Sequence, residues 1–99
     1  MRKHVLITYD VSNDKRLRKI FTLLRGYGEH VQYSVFLCQL TDKDLVVLSE
    51  KIKDCIHSSE DQVILIKLGS VGGKRDAMPD HWTVFGRTLT IDDHSVMIF

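Results

Sequence analysis

The residues of this chain best suited to chemistry gather near its start. Asp10 closes a short apolar run, and Arg16, Arg18, Lys19 and Arg25 follow within one helical stretch. Guanidinium groups take phosphate oxygens two at a time, so a basic helix of this kind can hold a nucleic-acid backbone without reading its sequence. The same four side chains also suit an ordinary solvated face, and Lys19 and Arg25 are read that way. Asp10 by itself suits a turn or a helix N-cap, a role that Ser12 and Asp14 fill equally well. The formal net charge is only +1 over 99 residues. Any grip on a polyanion therefore rests on a local cluster and not on a global positive field.

Other constellations promise less. His4, His30, His57, His81 and His94 are scattered, and no Cys-x-x-Cys or His-x-x-x-His spacing joins them into a zinc pattern. Gly69-Ser70-Val71-Gly72-Gly73-Lys74 lacks the Gly-Lys-Ser/Thr ending and the following helix of a phosphate loop, so it reads as a linker. Cys38 and Cys55 both lie in apolar stretches and read as buried thiols before they read as a disulfide. The N-terminus passes from two basic residues straight into a strand-like segment, with no run of signal-peptide or membrane-spanning length. A cytoplasmic protein with no membrane partner is expected.

The elements that must position these residues follow from changes of period. His4 to Tyr9 is short, β-branched and aromatic, which predicts a strand with Asp10 at its C-terminal end. Ser12, Asn13 and Asp14 offer N-caps for a helix carrying Leu17, Ile20, Phe21 and Leu24, and Gly26 and Gly28 let the chain leave it. Val31 to Cys38 alternates with period two. No Gly, Pro or Asn divides it, which leaves either one bulged strand or two strands joined by a tight kink near Ser34. Thr41 and Asp44 resemble a capping box opening a second helix with Leu45, Leu48, Ile52 and Ile56 as its stripe. Gln62 to Leu68 is apolar on both faces, as a central strand would be.

This is βαββαβ order, an α+β sandwich of the ferredoxin-like kind in which two helices cover one face of an antiparallel sheet. The chain is expected to be one domain over 1–99, with its core in 4–68. The first and last of these strands are apolar on both faces, so a second copy in a two-fold homodimer is expected on the uncovered side. In 69–99 the apolar pieces Trp82 to Phe85 and Val96 to Phe99 are candidates for an extra C-terminal strand on the sheet of the same or the partner subunit.

The run Tyr9-Asp10-Val11-Ser12-Asn13-Asp14-Lys15-Arg16-Leu17-Arg18-Lys19-Ile20, then Gly26-Tyr27-Gly28, then Val31-Gln32-Tyr33-Ser34-Val35-Phe36, resembles the CRISPR-associated Cas-two family in order and spacing. The set is specific although each piece alone would be weak, and the C-terminal third matches loosely. The resemblance implies a ferredoxin-like homodimer that partners the Cas-one integrase in spacer acquisition and acts as a magnesium-dependent endonuclease on RNA or DNA. It implies that Asp10 is the catalytic and metal-binding acid, shared with Asp10 of the partner subunit, because a lone carboxylate makes a poor magnesium site. It implies phosphate contacts from Arg16 and Arg18. Tyr9, Ser34 and Phe36 match supporting positions, for which packing on the sheet is the plainer role. His30 stands where many relatives are basic, and an imidazole gives a weaker phosphate contact near neutral pH. The alternative function is a non-catalytic dimeric scaffold that holds duplex DNA for the integrase.

Overall fold

The computed structural model describes residues 1–70 and 82–88. Five strands and two helices follow one another as β1 (Lys3–Asp10), α1 (Asp14–Arg25), β2 (Gly28–Gln32), β3 (Val35–Leu40), α2 (Asp42–Cys55), β4 (Gln62–Ser70) and β5 (Trp82–Gly86). The strands form one sheet in the order β2-β3-β1-β4-β5, antiparallel at every junction. The first four reproduce the expected split βαβ arrangement, with β3 inserted between β1 and β2 and β1 between β3 and β4. In the single chain β5 adds to the edge of β4, so the Trp82 piece forms the extra strand that was expected. The Val96 to Phe99 piece lies outside the described residues.

Both helices start on side-chain caps. Asn13 caps α1 by accepting a hydrogen bond from the Arg16 main-chain N–H at 3.0 Å, so of three cap candidates the middle one is used. Thr41 and Asp44 form a reciprocal capping box on α2: the Asp44 N–H donates to Thr41 Oγ1 and the Thr41 N–H donates to Asp44 Oδ2, each at 3.0 Å. Each such cap is worth ~1 kcal/mol.

Strand alternation sends Val5, Ile7 and Tyr9 of β1, Phe36, Cys38 and Leu40 of β3, and Val63 and Leu65 of β4 toward the helices, where all are buried. Phe36, Ile7 and Leu65 make one cross-strand row. Ile20 and Leu24 of α1 and Leu45, Leu48 and Ile52 of α2 close over them. Complete burial of a side chain of this size stabilises the fold by about 1.5–3 kcal/mol. Ile56 falls just past the end of α2 and is partly buried against the same core. Cys38 and Cys55 are both free thiols, and burial pushes Cys38 up to about 11.

The Val31 to Cys38 run resolves into two strands. Tyr33 and Ser34 turn the chain between β2 and β3, and Ser34 adopts the left-handed conformation at φ 61°. An L-residue there costs ~1–2 kcal/mol, which is why glycine or asparagine usually announces such a turn. The Ser34 carbonyl is compensated by the Tyr9 main-chain N–H, which donates to it at 3.1 Å. The pairing also slips by one residue between His30 and Gln32, so a bulge accompanies the turn.

The other face of the sheet carries two more rows, Leu37–Leu6–Ile66 and Val35–Thr8–Ile64–Val84. All of these side chains are partly exposed, and no helix of the described chain covers them.

Candidate active site at the end of the first strand

The end of β1, the first turns of α1 and the β2–β3 turn enclose a groove of about 550 Å³. Tyr9, Asp10, Asp14, Arg18, His30 and Ser34 are among the residues that line it. Four of the residues singled out from the sequence, Tyr9, Asp10, Arg18 and Ser34, are thus brought together, and two others are not.

Asp10 forms the last rung of β1, opposite Gln62 of β4. Its side chain is 73 % exposed, and its Oδ2 accepts a hydrogen bond from Arg87 Nη2 at 2.6 Å. Asp14 and Arg18 lie four apart on α1, the spacing that places two side chains on one helix face, and both reach the groove. Arg18 is exposed there and available to an anion. The Tyr9 ring is buried and tilted on Phe36 with centroids 6.2 Å apart. Burial first, and the neighbouring Tyr33 second, push its hydroxyl above the ordinary tyrosine value, so it stays a neutral hydrogen-bonding group.

Phe36 is wholly buried and stays in the packing role that its position on the sheet suggests. Its ring meets Phe21 at 5.5 Å and His30 at 4.9 Å. Phe21 also meets His30 edge-on at 5.1 Å, so the imidazole is stacked as part of the groove wall. Ser34 contributes its carbonyl to Tyr9 and lines the groove from the turn.

Arg16 sits elsewhere. Two residues from Arg18 means 200° around the helix, and its guanidinium turns to the loop before β4. Nε donates to Asp61 Oδ2 at 2.6 Å, and Nη2 donates to Asp61 Oδ1 at 3.3 Å and to Glu60 Oε1 at 2.8 Å. Asp61 is completely buried and also accepts the His57 main-chain N–H at 2.8 Å. Burial alone pushes the Asp61 carboxyl up, but the hydrogen bonds from Arg16 and the His57 N–H, with the charge of Arg16, outweigh it and hold Asp61 below the usual carboxylate range. The fold engages Arg16 as a clasp between α1 and the start of β4, which takes two of its three nitrogens away from the phosphate role expected of it.

Asp61 and Arg87 are the residues that reading the sequence missed. Asp61 is one acid among several in a polar loop, and only its position directly before an apolar strand hints at burial. The Asp10–Arg87 pair spans 77 positions and depends on the register of β5, which nothing local to either residue encodes.

Among the described residues no group of three or more His, Cys, Asp or Glu side chains comes together as a metal site, and no helix is long and apolar enough to cross a membrane. A divalent ion at this strand end would rest on the Asp10 carboxylate. The groove beside it has room for waters and a phosphate, and magnesium characteristically uses one or two carboxylates with such ligands. The donor fits that chemistry provided that a second carboxylate or a substrate completes the shell.

Comparison with known proteins bears on the family and the fold. The CRISPR-associated endoribonuclease Cas2 2 of Thermodesulfovibrio yellowstonii is 39 % identical over 90 residues, covering 86 % of this chain and 99 % of that protein. The CRISPR-associated endoribonuclease Cas2 1 of Moorella thermoacetica is 32 % identical over 94 residues, covering 90 % of this chain and 92 % of its own. The crystal structure of Streptococcus pyogenes Cas2 superposes with a TM-score of 0.63 at 35 % identity, over 67 % of this chain and 86 % of that one. The family model for CRISPR associated protein Cas2 matches residues 3–74, the whole of the sandwich before β5, and the chain belongs to the Cas2 family.

Proposed function

We propose that this protein is an endonuclease of CRISPR adaptation that hydrolyses phosphodiesters, with RNA as the first substrate to test, and that it works as a homodimer with magnesium at Asp10. The observation that carries the reading is the groove itself, which Asp10 and Arg18, both exposed, line together at the end of the strand. The curated relatives carry the name endoribonuclease, which supports the choice of RNA.

The second copy follows from the open face of the sheet. Leu6, Thr8 and Asp10 occupy every second position of β1, so Asp10 stands at the rim of the apolar rows that include Leu37 and Ile64. A two-fold partner seated on those rows covers them and brings the two Asp10 residues toward one axis. Asp10 and the partner subunit's Asp10 would then hold the ion. A bound divalent cation supplies charge stabilisation to the phosphodiester and orients an attacking water. Arg18 holds a backbone phosphate, and the neutral Tyr9 hydroxyl offers a hydrogen bond beside it. In the cell the dimer works in the cytoplasm with the Cas-one integrase and duplex DNA during spacer acquisition.

The test is cleavage of a labelled RNA by the purified protein with magnesium, comparing wild type and Asp10→Asn. Loss of magnesium-dependent cleavage in the variant is expected, with spacer acquisition scored separately in cells. Cleavage that survives the substitution removes Asp10 from the chemistry, and a wild type that never cleaves leaves the scaffold role as the protein's function.

A further inference from the structure

Arg87 is held at Asp10 by more than one exposed ion pair. Its main-chain N–H donates to the Asp61 carbonyl at 2.7 Å, and its own carbonyl accepts from Gln62 Nε2 at 3.0 Å. Its Nε donates to the Glu60 carbonyl at 2.9 Å. The preceding Gly86 has φ +93°, and a Cβ there would run into the Asp61 carbonyl, so the chain passes this point only as glycine. Main chain and inner guanidinium edge are thereby fixed, and the outer edge is aimed at Asp10 Oδ2, 2.6 Å from Nη2. The Glu60–Asp61 segment that does the aiming is itself anchored to α1 by Arg16.

We infer that Arg87 is the gate on Asp10: in the free protein its guanidinium occupies one oxygen of the carboxylate, and a divalent cation binds Asp10 in competition with it. The inference rests on the reading of Asp10 as a metal ligand given above. An arginine stays charged at any working pH. A magnesium ion ~2.1 Å from the same oxygen would stand within roughly 5 Å of that nitrogen, and two cations so close repel. The exchange is feasible because the pair is open to water, with side-chain exposures of 40 % for Arg87 and 73 % for Asp10. The displaced side chain keeps its Nε bond to Glu60, so it remains beside Asp10 with its Nη donors turned over to a phosphate oxygen of the nucleic acid. Arg87 therefore positions Asp10 before metal arrives and answers the substrate afterwards.

The experiment is calorimetric titration of the full-length protein with Mn²⁺ alone, without nucleic acid, for wild type, Arg87→Gln, Arg87→Lys and Asp10→Asn. Asp10→Asn is expected to lose the binding isotherm. Arg87→Gln is expected to bind Mn²⁺ about three- to tenfold more tightly than wild type, the size of removing an exposed pair together with its repulsion of the ion. Arg87→Lys, which keeps the charge but not the fork, should fall between them. If Arg87→Gln binds no more tightly than wild type while Asp10→Asn loses binding, the gate is refuted and Asp10 remains a ligand. If Asp10→Asn titrates like wild type, the metal reading of Asp10 falls and the gate falls with it. Should circular dichroism show that Arg87→Gln has lost the fold, Arg87→Lys carries the comparison, and affinity equal to wild type overturns the proposal.

Discussion

Replacing Asp61 with asparagine tests the assignment of Arg16 to the fold. The substitution keeps the size of the side chain and one acceptor oxygen but removes the charge from a carboxylate that is completely buried. Breaking a buried ion pair typically costs ~3–5 kcal/mol because the remaining charge is left uncompensated. Here the loss is smaller, since Arg16 keeps Glu60 and its side chain is 22 % exposed, so water can reach it. Asparagine can set its one oxygen at the Oδ2 position and still accept from both the His57 N–H and Arg16 Nε, but its amide N–H donors then face Arg16 Nη2 where the carboxylate had Oδ1. An unmet buried donor costs ~1–3 kcal/mol, which sets the expected destabilisation at about 2–3 kcal/mol. In a domain of this size that lowers the melting temperature by roughly 8–24 °C. Urea unfolding with an unchanged m-value and a shifted midpoint is the assay. The sign with pH is also set. The folded Asp61 carboxyl lies below its unfolded value, so its contribution is present above about pH 4 and is lost as the pH falls through the folded value. Asparagine should therefore flatten the acid limb of the stability profile. A cost under ~1 kcal/mol with an unaltered acid limb would place the pair among ordinary surface bridges and refute the clasp.

The groove, the Arg16 clasp and the open face give three further outcomes. Arg18→Ala should weaken nucleic-acid binding about equally for all sequences and reduce the slope of log affinity against log salt by about one phosphate contact, while leaving the melting temperature unchanged. Arg16→Met should do the reverse, lowering stability before affinity, and equal effects of the two on affinity would contradict the placement of Arg16. Leu37→Lys puts a charge into the middle of the Leu37–Leu6–Ile66 row and should convert a dimer to a folded monomer by light scattering at micromolar concentration. A variant that stays dimeric, or a wild type that is already monomeric, removes the account of the open face and of the shared Asp10 pair.

How much of this was legible in the sequence depends on whether the signal was local. The cap of α2 was, because Thr41 and Asp44 meet through a single turn and their side chains satisfy donors three residues away. The stripe of α1 and the strand Trp82 to Phe85 were legible for the same reason. The β2–β3 turn was not, because Ser34 takes a conformation its type disfavours and the compensation comes from Tyr9, on a strand 25 positions earlier. The edge chosen by β5 was open for a like reason, since a period-two run says which residues share a face but not what they pair with. Asp10, Arg18, Tyr9 and Ser34 were read together by their resemblance to a family, and the groove brings them together. Arg16 came with them by that same resemblance. The two-residue spacing from Arg18 already spoke against a common face, and only Asp61 made the reason visible.

The segment Glu60 to Gln62 explains why a position in a functional-looking motif can serve the fold first. Through its side chains it holds Arg16, through its carbonyls and the Gln62 amide it holds Arg87, and through β-pairing it holds Asp10 opposite Gln62. Three elements distant in sequence therefore meet on three consecutive residues. The Asp10 carboxylate is placed only as well as that segment is placed, and the segment is placed by the buried Asp61 carboxylate and its arginine. Arg16 consequently supports the end of β1 through the loop that it holds. Its removal should reach Asp10 through the loop, as a loosening of Arg87, before any phosphate contact is involved. A pattern of residue types groups Arg16 with Arg18, although the two face opposite sides of one helix and only one of them lines the groove.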